Sequence, residues 1–122
     1  PKRRVMFDLE LNTVLSFLEG SKAILIMGYD GIVVESVSKD NDESFHDLTI
    51  ELGQIVKNIG ELSKNSNTGP FNEMVLQFDQ AKILLRSIHE DYFLALLMTK
   101  EESIGKSQFA VQRILPDLVK NL

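Results

Sequence analysis

The segment Ile104-Gly105-Lys106-Ser107 contains the residue types of a phosphate-binding loop. A Gly-Lys-Ser run between a strand and a helix is where backbone N–H groups and a lysine hold nucleotide phosphates. That loop also needs a glycine five residues before Gly105, and position 100 is lysine. We therefore interpret Gly105 as a close-packing residue at the start of a helix, and we expect the chain not to bind nucleotides.

The acidic loop around Asp40 offers a second possible chemistry, calcium binding. Asp40, Asp42 and Ser44 have the spacing of the start of a calcium loop, but Phe45 occupies the position where that loop requires glycine. Asp42 and Ser44 are also residue types that cap helix N-termini, and acidic residues are favoured there by the helix dipole. The sequence therefore predicts the start of a helix, with either residue as its cap.

Nothing else in the chain has the pattern of a catalytic or metal site. His46 and His89 have no third ligand near them in the sequence, and we interpret both as surface residues. The chain has no cysteine, which excludes disulfides, a thiolate nucleophile and cysteine-bearing zinc sites. No Gly-x-Ser-x-Gly or His-Glu-x-x-His motif occurs. We expect no catalytic residue, no metal and no cofactor, and hence not an enzyme.

Composition excludes two further classes of function. The formal net charge is −5, and the short Lys2-Arg3-Arg4 cluster is the one basic run, so we expect no nucleic-acid partner. The longest apolar run extends from Phe93 to Met98, far short of the roughly 20 residues of a membrane helix. We therefore expect a cytoplasmic protein that does not span a membrane.

The apolar periodicity predicts eight elements in the order α-β-β-α-β-β-β-α. A turn at Tyr29-Asp30-Gly31 joins the first two strands into a hairpin, and the breaker-rich run 65–70 ends the middle helix. Pro116 is expected to break or kink the last helix. The predicted helices cover about 5–18, 44–64 and 103–119, and the predicted strands cover 22–28, 32–37, 71–79, 81–88 and 91–98.

Two of these strands are apolar on both faces, which indicates that they are covered on both sides. They are residues 22–28 and 91–98, and we place them as central neighbours with their hairpin partners outside them. The sequence therefore predicts an α+β fold formed by a single domain, residues 1–122. It contains one antiparallel five-stranded sheet in the order 2-1-5-4-3, with the long middle helix on one face and the terminal helices on the other.

Three segments resemble the roadblock / dynein light chain family. The hairpin 23–35 is similar to the family's opening hairpin, with an apolar strand on each side of an Asp-Gly turn. Residues 92–97 followed by 103–106 resemble its last strand and the Gly-bearing start of its last helix. Residues 109–118 look like the end of bacterial members that partner a gliding-motility GTPase. Since longin and profilin-like domains share this element order, these segments, and not the topology, carry the resemblance.

The resemblance implies a homodimer with one sheet continuous across both subunits. It also implies a non-enzymatic regulator, platform or activator for a Ras-like small GTPase, or a motor or scaffold light chain. The rival interpretation is a profilin- or PAS-like sensor, which needs a ligand cavity between sheet and helix. Arg86 and Arg113 are candidates for an arginine inserted into a GTPase, although nothing in the sequence favours either.

The middle helix presents three stripes at helical spacing. Two glycines on an exposed helix would each cost about 1 kcal/mol relative to alanine, which suggests close approach of a partner helix. We therefore expect a homodimer joined through the small-residue stripe and the half-exposed strand 71–79, with the acidic stripe either solvated or binding the GTPase. The core stripe is Leu48, Leu52, Ile55, Ile59 and Leu62; the expected dimer residues are Thr49, Gly53, Val56, Gly60, Glu73, Val75 and Gln77; and the acidic stripe is Asp47, Glu51, Gln54, Asn58 and Glu61.

Overall fold

The element order of the computed structural model is the predicted one. It describes residues 2–40, 44–65, 67–89 and 91–122, without the side chains of residues 2–6 and 44–46. The predicted cap Asp42, and the side chains of Ser44 and His46, therefore lie outside the described residues. The elements are α1 (Lys2–Phe17), β1 (Ser21–Gly28), β2 (Val33–Ser38), α2 (Ser44–Lys64), β3 (Glu73–Gln77), β4 (Ala81–His89), β5 (Tyr92–Thr99) and α3 (Ile104–Lys120).

The five strands form one antiparallel sheet in the order β2-β1-β5-β4-β3, which confirms the predicted fold class. β1 and β5 are central because their side chains are apolar on both faces, so that each strand is buried from two sides. Leu25 pairs with Ala95 at the middle of this contact. β2 and β3 are the two edges, as predicted, and the tight turn at Gly31, with φ of 88°, joins β1 to β2.

The helices cover the two faces of the sheet as predicted. α1 and α3 lie on one face, and α2 lies on the other. Within the described residues, no helix is long and apolar enough to cross a membrane. The core beneath α1 and α3 includes Phe7, Leu11, Leu18, Ile24, Ile26, Leu94, Leu96, Val111 and Ile114, and the core beneath α2 includes Ala23, Leu25, Met27, Leu52, Val56, Ile59, Leu85 and Phe93.

A buried glutamate ties α1 to the start of α3. The Glu102 side chain is 8% exposed, and its two oxygens accept the backbone N–H groups of Gly20 at 2.8 Å and Ser103 at 2.9 Å. The Lys82 ammonium donates to the Glu102 carbonyl at 2.8 Å. Because the carboxylate is satisfied on both sides, it holds the end of one terminal helix against the beginning of the other.

The predicted break at Pro116 is wrong, because α3 continues through this residue to Lys120. Proline removes one intrahelical hydrogen bond, which leaves the Gln112 carbonyl without its usual donor. Gln112 and Pro116 are both exposed, so water can satisfy that carbonyl. Leu115 and Leu118 are buried on the other side of the helix and hold the segments before and after the proline on the same core.

Candidate functional site

The small-residue stripe of α2 faces the protein's own hairpin, which corrects the expectation that it faces a second copy. Gly53 is buried, and a Cβ added there would lie 3.4 Å from the Gly31 Cα atom. Val56 is 1% exposed within the core. Thr49 and Gly60 are half-buried. Close approach therefore does explain the glycine at position 53, but the approaching backbone is the β1–β2 turn.

This contact rotates α2 relative to the predicted core stripe. Val56 takes a central place in the core beside Leu52 and Ile59, whereas Leu62 is 67% exposed. The physical reason is that glycine at position 53 lets the helix roll toward the hairpin, which lifts its opposite side out of the core. The predicted core residues Leu48 and Ile55 are consequently only half-buried.

The lifted side of α2 and the edge strand β3 together form an apolar surface, which we call the α2–β3 surface. Leu48 and Ile55 pack on the same core as the half-buried Met74 and Leu76 of β3. Leu62 lines a shallow hollow together with Phe71, just before β3 begins. The surface is therefore continuous along one side of the helix and the neighbouring strand edge, where no further strand pairs in the described sheet.

The three residues of β3 that we expected at a dimer interface alternate onto the other face of the sheet. Glu73 is half-buried and accepts a hydrogen bond from the Gln108 side chain of α3 at 2.7 Å. Val75 packs against the core beneath α1 and α3, and Gln77 is exposed. Their placement on an edge strand is confirmed, and their role in an interface stays a prediction.

The acidic stripe occupies the outer side of α2. All five of its members are exposed, and three of them carry carboxylates. Ile50, which is 69% exposed, lies on the hairpin side of the stripe, and Leu62 lies on the β3 side. The structure therefore presents the stripe to solvent between two exposed aliphatic side chains. Its members are Asp47, Glu51, Gln54, Asn58 and Glu61.

An open groove of about 730 Å³ lies between the C-terminal half of α2 and the end of the sheet. It exists because, after Ile59, the inner side of α2 carries Gly60 and Ser63 instead of large apolar residues. Its walls combine aromatic rings with hydroxyl, amine, imidazole and carboxylate groups. They include Tyr29, Lys57, Ser63, Lys64, Phe71, Ser87, His89 and Asp91.

The segment with phosphate-loop residue types has no loop geometry. The Ser103 hydroxyl caps α3 by accepting the Lys106 N–H at 3.1 Å. The Lys106 ammonium lies 5.1 Å from the centre of the Phe17 ring. Gly105 is exposed, and a Cβ there would meet only the Ser103 hydroxyl at 3.9 Å, so its predicted role in close packing is wrong. Among the described residues, no cluster of three metal-ligating side chains occurs.

An exposed group on the opposite layer, which we call the aromatic–basic patch, is not predicted by the sequence pattern. The rings of Phe17 in α1 and Phe109 in α3 lie 6.2 Å apart, and they are 43% and 55% exposed. The Arg113 guanidinium lies 5.7 Å from the centre of the Phe109 ring, and Lys106 lies over Phe17. The signal in the sequence is weak because the two rings are far apart in the chain and meet only when α1 packs on α3.

A hollow of about 380 Å³ adjoins this patch, between α3 and the strands β3 and β4. Arg86 lines it, and the Arg86 Nε atom is shielded from solvent without a hydrogen-bond partner. Glu73 is directly opposite Arg86 in the strand register, yet its carboxylate is bonded to Gln108. Arg86 and Arg113 thus both belong to the layer opposite α2.

Comparison with solved structures shows which fold this is. MglC from Myxococcus xanthus has 24% sequence identity and a TM-score of 0.74, over 96% of this chain and 99% of that chain. The gliding protein MglB from Thermus thermophilus has 15% identity and a TM-score of 0.85, over 99% and 91%. A roadblock/LC7 domain from Streptomyces avermitilis has 14% identity and a TM-score of 0.66, over 91% and 96%.

No protein-family model matches the sequence, and no curated protein matches it. The likeness to the solved structures therefore concerns the fold. The chain has the roadblock fold and resembles MglB in architecture over nearly its whole length. This confirms the resemblance drawn from the hairpin and from the last strand and helix.

Proposed function

We propose that this chain is a non-enzymatic, cytoplasmic homodimer that binds a Ras-like small GTPase and activates its nucleotide hydrolysis. The observation that carries this proposal is the α2–β3 surface, a half-exposed apolar strip beside an open strand edge. An unpaired edge is a ready template for another strand, and stable proteins usually cover or blunt it. A second copy related by a two-fold axis would cover strand edge and helix side at once.

The dimer proposal is tested by two matched substitutions on α2. Leu62 and Ile50 are 67% and 69% exposed and lie on opposite sides of the helix. At high salt, Leu62→Glu places a charge in the proposed interface and should shift sedimentation from twice 13.8 kDa toward the monomer. Ile50→Glu is the control and should leave the dimer intact. Equal behaviour of the two variants, or a monomeric wild-type chain at micromolar concentration, would contradict this interface.

The GTPase proposal is supported by the roadblock fold together with the exposed acidic stripe. Pairing through the α2–β3 surface would set two acidic stripes on one broad face, available to a partner with basic residues around its switch regions. Arg86 and Arg113 lie on the opposite layer, so neither is placed to enter a GTPase bound at this face. We therefore propose that the dimer acts by repositioning the residues of the GTPase itself.

The test measures GTP hydrolysis and binding kinetics of Ras-like GTPases from the same organism with the purified chain. Glu51→Lys combined with Glu61→Lys should slow association, most strongly at low salt, because exposed interface charges act mainly on the association rate. Glu19→Lys with Glu101→Lys reverses two exposed charges outside the stripe and serves as the control. No change in kinetics for the stripe variant would show that the partner docks elsewhere.

The groove beside α2 supports a second candidate function, binding of a small ligand as in a sensor domain. Its volume of about 730 Å³ falls within the usual range for ligand sites, roughly 300–1,000 Å³. Mass spectrometry of small molecules released from the purified protein should then find a ligand. Ser87→Phe, which fills the groove, should abolish its retention. Recovery of the same molecule from wild-type and variant protein would contradict binding in the groove.

A further inference from the structure

The aromatic–basic patch has the composition of a protein interface. Two phenylalanine rings that touch each other are both about half exposed, and each has a cation over its face. Aromatic residues and arginine are enriched at the energetic centres of interfaces, where they are buried by a partner. The patch lies on the layer of α1 and α3, away from α2.

The adjoining hollow indicates what kind of group the partner brings. The shielded Arg86 Nε atom lacks an acceptor, although the Glu73 carboxylate is directly across from it in the strand register. Glu73 is held instead by the Gln108 side chain. Arg86, Lys106 and Arg113 therefore present three cations along this surface, and carboxylates are the groups that form charge-assisted hydrogen bonds with such cations.

We propose that the aromatic–basic patch binds the acidic stripe on α2 of a second copy of this chain. The stripe supplies the carboxylates of Asp47, Glu51 and Glu61, which match the three cations in number. The exposed aliphatic side chain of Ile50 lies beside the stripe and is available to cover the phenylalanine rings. The net charge of the chain is −5, and the patch is a basic area on this acidic protein. A second copy therefore offers a surface of opposite charge, and this complementarity is why we assign the patch to a second copy.

The geometry makes this contact head-to-tail. The patch and the stripe lie on opposite layers of the sheet, so one chain cannot satisfy both with itself or with a single symmetric partner. A contact between two different surfaces builds either a closed ring or an open filament. The proposal does not depend on the GTPase, but a stripe covered by another copy would be closed to any GTPase that docks there.

The test is sedimentation velocity with charge-reversed variants at low and high salt. Wild-type protein at low salt should form species larger than twice 13.8 kDa that grow with concentration and dissociate in high salt. Lys106→Glu with Arg113→Glu, and separately Glu51→Lys with Glu61→Lys, should each weaken this assembly about tenfold or more. An equimolar mixture of these two variants should restore mixed assemblies. The intact patch of one variant can bind the intact stripe of the other, and the two charge-reversed surfaces are again opposite in sign.

Two further variants separate the patch from general charge effects and from misfolding. Lys100→Glu with Lys120→Glu reverses two exposed charges outside the patch and should leave assembly unchanged. Arg86→Met removes the guanidinium that lines the hollow and should weaken assembly while circular dichroism stays that of the wild type. Absence of species beyond the dimer, persistence of assembly in the Lys106/Arg113 variant, or failure of the mixture to restore it would each overturn the proposal.

A membrane surface is the competing occupant, and vesicle flotation distinguishes it. Phosphatidylcholine vesicles with and without phosphatidylserine are incubated with the wild-type chain and with the Lys106/Arg113 variant. We expect no flotation of either protein. Flotation of the wild type with anionic vesicles alone, lost in the variant, would overturn the proposal in favour of an anionic bilayer.

Discussion

Replacing Gly53 by alanine tests the contact between α2 and the β1–β2 turn. An added Cβ would lie 3.4 Å from the Gly31 Cα atom and 3.7 Å from the Gly31 carbonyl oxygen, which is ordinary van der Waals contact. Alanine within a helix is favoured over glycine by about 1 kcal/mol. The methyl group would also be buried, which contributes up to about 0.8 kcal/mol. Gly53→Ala should therefore stabilise the protein by about 1–2 kcal/mol.

A larger side chain at the same position should have the opposite effect. In Gly53→Leu the atoms beyond Cβ extend toward the Gly31 backbone, and Gly31 has a φ of 88°, a conformation that only glycine adopts readily. Overpacking of this kind typically costs about 1–3 kcal/mol, more than the helix propensity of leucine restores. The helix must then move away from the hairpin, and the free energy of unfolding falls below that of the wild type.

The assay is urea denaturation followed by circular dichroism at one fixed protein concentration, because the proposed dimerisation would make apparent stability depend on concentration. Gly60→Ala is the matched control. Its Cβ would meet only the Tyr29 ring, at 3.7 Å, so it gains helix propensity without approaching the Gly31 backbone. The reasoning is refuted if Gly53→Ala destabilises the chain. It is also refuted if Gly53→Leu keeps wild-type stability but loses the dimer, since Gly53 would then face another copy.

Two further predictions concern carboxylates of the terminal-helix layer. Glu102→Gln should lower the free energy of unfolding by about 1–3 kcal/mol, because an amide has a single acceptor oxygen for two backbone donors. Glu101→Gln, at the exposed neighbouring residue, is the control. Equal stability of both variants would contradict the described hydrogen bonds. The pKa of Glu10 is raised from 4.5, first by burial and then by the nearby Asp117 carboxylate, so its ionised form is disfavoured in the folded state. Protonation of Glu10 thus favours the folded state below pH 4.5, and this contribution to stability is lost as pH rises through the folded-state pKa. Glu10→Gln should accordingly raise the melting temperature at about pH 7 but not below pH 4.5. A difference in melting temperature that does not depend on pH would contradict this linkage.

The sheet could be predicted from the sequence because its information is local to each strand. The runs 22–28 and 91–98 are apolar on both faces, and this property alone makes β1 and β5 the central pair. The tight turns between consecutive strands identify the hairpin partners. With the central pair and the hairpins known, only one order of the five strands remains. The error at Pro116 had a similar local origin, since the sequence rule neglects the packing of Leu115 and Leu118 on either side of it.

The surfaces depend on contacts between distant residues, and the sequence pattern cannot supply these. Aliphatic residues cover a wide arc of α2, and the contact between Gly53 and Gly31 decides which part of that arc enters the core. Helical spacing alone therefore placed Leu62 inside and Val56 outside, the reverse of the structure. The aromatic–basic patch likewise requires Phe17 and Phe109 to meet across two helices.

The groove beneath the end of α2 has a consequence for how the helix opens. Leu52, Val56 and Ile59 anchor the helix in the core as far as residue 59, whereas Gly60 and Ser63 provide no comparable anchor for the last turn. Separating that turn from the sheet exposes little apolar area, so it requires far less free energy than global unfolding. Amide hydrogens after residue 60 should therefore exchange with solvent through local fraying, while those near Val56 exchange only when the whole domain unfolds. α2 thus consists of a fixed segment up to Ile59 and a short C-terminal segment that unwinds on its own.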